Sequence, residues 1–217
     1  MRRVTGKQVV ELSEQQFAEL RAPYTRVVLD VGTGDGKHPL HLARKHPDHL
    51  VIGLDAAPDN LRKTAGKAAA KPAKGGLPNL VYLWHAAEKL PPTLRDIDEL
   101  HILMPWGSLL RGILDTDTTM LTGLAACCRP GADFLISLNL HAWRPPVPEV
   151  GDTEEPTPDT AAEVLAELYA GAGWRLDHAA YLTPEEIAEL STSWTRRLNS
   201  SRDQLDVLAL RGVIKPE

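Results

Sequence analysis

Apolar residues fall in short runs divided by polar, glycine-rich or proline-rich breaks, and their period changes along the chain. From Arg3 to Leu12, Val4, Val9 and Val10 flank Thr5-Gly6-Lys7, which predicts a short hairpin. Ser13 then offers an N-cap, with Phe17 and Leu20 at helical spacing behind it. Beyond them, strand-like runs alternate with helix-like ones. Arg26 to Val31, Leu50 to Leu54, Asn79 to Trp84, Glu99 to Met104 and Ala132 to Leu138 read as strands. His38 to Lys45, Pro58 to Ala70, Thr118 to Cys127 and Thr160 to Ala170 read as helices, the second with Pro58 in its first turn. The tail adds a strand over Trp174 to Tyr181, a short helix from Pro184 and a strand over Gln204 to Leu210.

Strands alternating with helices imply an α/β fold, a mostly parallel sheet covered on both faces. The final strands lie close together in sequence, which predicts an antiparallel pair at that edge. The pattern is that of a Rossmann-like, seven-stranded sheet with an antiparallel last strand, preceded by a hairpin over residues 1–12. A chain of 217 residues is read as a single domain with a full core. Two long connections stand out: the proline-rich, acidic stretch 143–159 and the segment 191–203 before the last strand. The first is either a functional loop or a solvated acidic linker.

In an open parallel sheet, ligands sit beyond the carboxyl ends of the strands. The first strand ends in Leu29-Asp30-Val31-Gly32-Thr33-Gly34-Asp35-Gly36. Glycines at alternate positions let backbone N–H groups approach a ligand, and the acid before them suits a cationic amine. The dinucleotide fingerprint spaces its glycines differently. The spacing here suits S-adenosylmethionine (SAM), which has an amino group and no pyrophosphate. A tight turn that binds nothing would use the same glycines. About 20 residues on, Val51-Ile52-Gly53-Leu54-Asp55 is a second apolar run ending in an acid, placed to hold ribose hydroxyls, with Ala56 beside it. The third strand is followed by Ala86-Ala87-Glu88, the fourth by Pro105-Trp106-Gly107-Ser108.

The fourth position narrows the acceptor. Enzymes that methylate an exocyclic adenine amine usually carry Asn/Asp-Pro-Pro-Tyr/Phe there, whose polar side chain orients the amine. This chain has Met104-Pro105-Trp106-Gly107. An acceptor with its own in-plane lone pair, such as adenine N1, needs neither that group nor a general base. The product ring is cationic, and a tryptophan face stabilises positive charge by about 1 kcal/mol or more when desolvated. Trp194 lies in Ser193-Trp194-Thr195-Arg196-Arg197, where a flipped base would stack and arginines would meet phosphates. Trp84, Trp143 and Trp174 suit strand-end or core positions.

Composition changes the picture in three places. The net charge of −5 is segregated: Glu149 to Glu163 holds six acids and no base. Lys63, Lys67, Lys71 and Lys74 instead form a basic row with no acid between them, the first three at a spacing of four that predicts one helix face suited to phosphate contact. No apolar run is long enough to cross a bilayer and no apolar signal core follows the basic N-terminus, so a cytoplasmic protein without a membrane partner is expected. Adjacent Cys127 and Cys128 make no disulfide framework, and His38, His41, His46 and His49 complete no recognisable metal set, so no metal is expected.

Taken in order, several stretches resemble the kanamycin–apramycin resistance 16S rRNA (adenine1408-N1)-methyltransferases, a class I SAM-dependent family. They are Leu29 to Pro39, Lys67 to Leu80, Leu103 to Gly112, Leu138 to Pro145 and Thr192 to Arg197. The resemblance implies methyl transfer from SAM, leaving S-adenosylhomocysteine, to adenine 1408 in the 30S subunit, and with it aminoglycoside resistance. It implies SAM contacts at Asp30, Gly32, Asp55, Ala87, Glu88, Ser108 and Ser193, a base held between Trp106 and Trp194, and functional arginines at Arg197 and Arg202. No obligate protein partner is implied, so a monomer is expected. A tRNA guanine-N7 methyltransferase, whose acceptor is also a lone pair, is the nearest alternative. A SAM-binding RNA-docking protein without activity and a nicotinamide-linked oxidoreductase stand behind it.

Overall fold

The computed structural model describes residues 1–145, 149–151, 153–192 and 207–215. The N-terminal hairpin comprises β1 (Arg2–Thr5) and β2 (Gln8–Glu11), followed by α1 (Glu14–Arg21). Ser13 is the N-cap of α1, as expected, and forms a reciprocal capping box with Gln16. The repeating units follow: β3 (Arg26–Val31), α2 (Lys37–Lys45), β4 (His49–Asp55), α3 (Pro58–Ala68), β5 (Leu80–Trp84) and β6 (Ile97–Leu103). Then come α4 (Gly107–Leu114), α5 (Thr119–Cys127) and β7 (Cys128–Asn139). A helical stretch made of α6 (Pro158–Thr160), a π turn (Ala161–Leu165) and α7 (Ala166–Gly171) leads to β8 (Trp174–Tyr181), α8 (Pro184–Glu189) and β9 (Val207–Ile214).

The strands form one sheet in the order β2-β1-β5-β4-β3-β6-β7-β9-β8. The pairs β3–β4, β4–β5, β3–β6 and β6–β7 are parallel, and β9 runs antiparallel between β7 and β8. The seven expected strands are therefore present with the last one antiparallel. The hairpin is not separate from them: β1 pairs antiparallel with β5 and widens the sheet to nine strands. The order reverses between β3 and β6, and the crevice beyond the carboxyl ends at such a switch point is where ligands bind in this architecture.

Alternation along the strands fills both faces. Leu50, Ile52 and Leu54 of β4 join one core with Phe17 of α1, Leu110 and Ile113 of α4 and Leu121 of α5. Val51, between them, faces the other way onto Leu40 and Ala43 of α2 and Leu61 and Ala65 of α3. Trp174 is buried against Phe134 and Tyr169, with ring centroids 4.9 and 5.8 Å away. Cys127 and Cys128 are free thiols buried in the same core.

Two sequence expectations need correction. Helix α4 has no counterpart among the expected elements. The helix expected over Pro58 to Ala70 ends at Ala68, because Pro72 disfavours helical geometry at Lys71, which is extended (φ −60°, ψ 144°). Only Lys63 and Lys67 thus lie on α3, while Lys71 is the N-cap of the following 3-10 turn (Pro72–Lys74) and Lys74 its last residue; all four are exposed. Within the acidic connection, Glu155 accepts bonds of 2.8 and 2.6 Å from Arg144, and Glu149 pairs with Arg111 of α4 at 2.6 Å.

Candidate cofactor and base-binding site

The switch-point crevice opens into a cavity of about 490 Å³. Its walls come from the carboxyl ends of four parallel strands: Asp30, Gly32 and Gly34 after β3, Asp55 and Ala56 after β4, Ala87 and Glu88 after β5, and Met104 to Trp106 with Ser108 after β6. Local geometry explains why the chain turns there. Gly32, Gly34 and Gly36 all have positive φ (70°, 59° and 71°). A Cβ on Gly34 would meet nothing within 4 Å, so that glycine serves backbone conformation alone. Gly36 differs: it is buried, does not line the cavity, and a Cβ there would collide with the Tyr82 ring and lie 2.8 Å from the Thr64 hydroxyl. The Tyr82 hydroxyl donates to the Gly36 carbonyl at 2.5 Å, locking the start of α2 against the sheet. Gly36→Ala is expected to destabilise the protein by about 2–4 kcal/mol, combining backbone strain with overpacking, as read by urea unfolding.

Asp55 holds the loop from the neighbouring strand. Its Oδ2 accepts the Gly34 N–H at 2.8 Å and its Oδ1 accepts the Ala57 N–H at 2.8 Å. Each oxygen keeps a second lone pair for a ligand hydroxyl. Ala56 is fixed from behind by Trp84, whose indole N–H donates to its carbonyl at 3.0 Å while Arg2 stacks on the ring at 3.8 Å. On the same wall, His85 accepts the Arg2 N–H through Nε2 at 3.1 Å, leaving Nδ1–H as the ring's donor. Burial first, then the Arg2 and N-terminal charges, lower its pKa and keep it neutral.

Asp30 dominates the electrostatics. It is 2% exposed, and its Oδ1 is buried without a hydrogen-bond partner among the described residues. Burial raises its pKa to about 6; the Thr33 hydroxyl and the charge of His101 pull against that rise, and Asp55 adds to it. An orphaned carboxylate oxygen on a cavity wall suits a donor that carries its own positive charge. The cavity as a whole agrees: Asp30, Asp35, Asp55 and Glu88 line it, and no Lys or Arg does among the described residues. Such a lining repels a pyrophosphate and attracts an ammonium. The residues therefore fit SAM, which carries a cationic amine for a buried acid and ribose hydroxyls for an acid with free lone pairs.

Only the ionised form of Asp30 binds a cation. Affinity for SAM is therefore expected to fall as the pH drops through about 6, approaching tenfold per pH unit below it. Binding near that pH should release a proton, measurable by calorimetry in buffers of different ionisation enthalpy.

At the mouth, Met104 adopts a positive φ of 49°, unusual for a side chain of its size, and its N–H donates to the Ser137 carbonyl at 2.8 Å. Pro105 follows, Trp106 is the N-cap of α4, and Gly107 has φ 61°. This double turn aims the strand end along the cavity rim and leaves Trp106 41% exposed on its wall. Thr192 also reaches the cavity, its hydroxyl 3.7 Å from the Met104 sulfur. Ser193, Trp194, Arg196, Arg197 and Arg202 lie outside the described residues. Sequence reasoning overlooked Thr192, Asn60 and His38 as cavity residues; Asn60 and His38 sit in helices that carried no ligand pattern, and Thr192 is the residue before the Ser193 that the resemblance singled out.

The family model described as NpmA: 16S rRNA (adenine(1408)-N(1))-methyltransferase matches residues 2–213. A 16S rRNA (adenine(1408)-N(1))-methyltransferase of Streptoalloteichus hindustanus is 65% identical over 216 residues, spanning 100% of both chains. The crystal structure of the 16S rRNA methyltransferase KamB superposes with a TM-score of 0.95 at 64% identity, covering 100% of each chain. A 16S rRNA (adenine(1408)-N(1))-methyltransferase from Catenulisporales acidiphilia, a tryptophan-to-alanine mutant solved with cosubstrate SAM, superposes with a TM-score of 0.90 at 38% identity. That match covers 99% of this chain and 96% of the other.

Proposed function

The chain belongs to the 16S rRNA (adenine(1408)-N(1))-methyltransferase family, and from that membership we propose how its own residues carry the reaction. The chain is a SAM-dependent methyltransferase that acts on N1 of adenine 1408 in 16S rRNA. The observation that carries the reading is the pairing, in one cavity, of a buried Asp30 oxygen, unpartnered among the described residues, with an exposed Trp106 at the rim.

SAM, when bound, supplies an electrophilic methyl group. Asp30 holds the donor's ammonium, Asp55 its ribose, and Ala56, Ala87, Glu88 and Ser108 complete the wall; family membership gives Ser193 a further donor contact. Trp106 and Trp194 hold the extruded adenine between them. Neither residue moves a proton, because N1 attacks through a lone pair that is free at neutral pH. Their aromatic faces instead stabilise the positive charge that grows on the base, so catalysis is positioning plus electrostatics. Met104, where amine methyltransferases place an amide or acid, offers nothing to orient an exocyclic amine.

Arg196, Arg197 and Arg202 with the exposed lysines Lys63, Lys67, Lys71 and Lys74 anchor the RNA. None of those lysines makes an ion pair among the described residues. Replacing Lys63 and Lys67 with alanine should weaken binding to small subunits, and should reduce the slope of log affinity against log salt by about 1 to 2. The substrate is the assembled 30S subunit, met in the cytoplasm by a single chain. Among the described residues no helix is long and apolar enough to cross a membrane.

The reading is tested by tritiated methyl transfer. Purified 30S subunits should accept label and bulk tRNA should not; label in tRNA would favour the guanine-N7 alternative, and label in neither would leave a docking protein. A methyl on N1 adds charge and blocks a hydrogen bond where aminoglycosides dock. Cells expressing the chain should survive raised kanamycin and apramycin, and unchanged inhibitory concentrations would contradict that.

A further inference from the structure

His38 and His101 take no part in the chemistry above, yet they are joined in a continuous buried chain of hydrogen bonds. His38 Nδ1 lies 2.6 Å from the Leu190 carbonyl oxygen, and its Nε2 lies 3.0 Å from His101 Nδ1. His101 Nε2 lies 2.8 Å from Glu99 Oε1. Both rings are buried, at 5% exposure each. Each of these three contacts needs one proton. The terminal partners, a carbonyl and a carboxylate, bring none, and two neutral imidazoles carry one ring proton apiece. The third proton is therefore an excess proton, and the pair bears one positive charge.

The surroundings say where that charge sits. The hydrogen bond from His101, with further pull from Arg26, holds the Glu99 carboxyl down at about 2, so Glu99 is an anion and does not supply the proton. Burial, and then repulsion from His101, lowers His38 to about 3. His38 is thus the neutral ring, donating through Nδ1 and accepting through Nε2, and His101 is the imidazolium, bonded directly to the Glu99 anion. His101 is also the register partner of Asp30 across β3 and β6, so the two side chains leave the same face of the sheet.

We infer that the His38–His101 pair is a positioning element of the donor site. It holds one buried positive charge beside Asp30, keeps that carboxylate ionised, and so sets the lowest pH at which the cavity takes a cationic amine. The inference rests on the donor assignment above through Asp30. Every packed element contributes to the field. Asp30 faces the pair from β3 and is itself acted on by Asp55 of β4, Arg26 of β3 acts on Glu99, His41 faces His38 from α2, and the Leu190 carbonyl meets it from the end of α8. Arg26 bonds Glu99 at 3.0 Å and Asp133 of β7 at 2.5 Å, which spends its charge on two acids. His46 and His49 share a cleft with Glu99 and His101 on the far side. His101 is the cation that acts on Asp30 from across that strand pair.

Two measurements test this. Nitrogen-15 shifts of the histidine rings in the wild-type protein at pH 7 should show both His101 nitrogens protonated and His38 as a neutral Nδ1–H tautomer; a neutral His101 overturns the proposal. SAM binding to His101→Asn, followed by calorimetry from pH 5 to 8.5, should lose affinity at a midpoint raised by about 1 pH unit, since an opposite charge within a few ångströms normally depresses a carboxyl by that much or more. An unmoved midpoint overturns it. Should the variant not fold, the ring shifts of the wild type decide alone. Failure of the wild-type chain to bind SAM at any pH would remove the donor assignment instead, and with it the pair's role.

Discussion

The Asp30→Asn variant is expected to be more stable than the wild-type protein at pH 7.5, by about 1–3 kcal/mol, while binding SAM roughly 30- to 1,000-fold more weakly. The two effects share one cause. A carboxylate that is 2% exposed, with one oxygen unpartnered among the described residues, is held ionised at a cost, which appears as a pKa raised to about 6. A raised folded value means that the folded state prefers the protonated acid. The cost is absent below about pH 4, where folded and unfolded chains are both protonated, and is in full force above about pH 6. Each pH unit between the unfolded and folded pKa values corresponds to about 1.4 kcal/mol, which limits the relief available to a neutral isostere to about 3 kcal/mol. The donor's ammonium is what normally offsets that cost, so the neutral variant loses the ion pair that binding creates. Urea unfolding at pH 7.5 and at pH 4, with calorimetry of SAM, separates the outcomes. The stability gain should vanish at the lower pH; a variant that is less stable at pH 7.5, or that keeps its affinity, would contradict this account of the acid.

Trp106→Ala is expected to slow methyl transfer by roughly 100- to 1,000-fold while changing the SAM dissociation constant by less than about threefold. Base stacking on an aromatic ring is worth about 1–3 kcal/mol and attraction to a developing cation about 1 or more. Both act on the acceptor and neither acts on the donor's binding. Trp106 is 41% exposed, and at the N-cap of α4 it makes no side-chain hydrogen bond to the helix. Trp106→Phe, which keeps a smaller face, should recover part of the rate. Single-turnover kinetics with 30S subunits beside donor calorimetry reads the split; SAM affinity falling in step with the rate would assign the indole to the donor site instead. The same split is expected for Trp194→Ala.

Much of the site was legible because the architecture puts ligand contacts where apolar runs stop. Asp30, Asp55, Glu88 and Trp106 each follow such a run, and the structure gathers them around one cavity. What stayed hidden depended on three-dimensional neighbours. Gly36 shares a motif with Gly32 and Gly34, yet its lack of a side chain serves Tyr82 and Thr64, which are remote in sequence. Helix α4 is obscured because its first turn is also the strand-end motif Trp106-Gly107-Ser108, whose chemistry hides its periodicity. The basic row reads as one face because a spacing of four is helical, although Pro72 already carries the signal that ends the helix. Nothing in the hairpin's sequence says which sheet edge it joins. His101, a lone polar residue in a strand, and His38, one of several histidines nearby, give no sign of each other; only the register of β3 with β6 and the packing of α2 bring them together.

The central claim is the atom that receives the methyl group. Reverse transcription across 16S rRNA, taken from small subunits incubated with the protein and SAM, measures it directly, because a methyl on N1 occupies the pairing edge and halts the polymerase. The account predicts a strong stop at adenine 1408 that needs both protein and SAM and disappears with Asp30→Asn. Read-through at that position in subunits shown to carry the transferred methyl would place it on another atom or another nucleotide, and would contradict the reading of this site.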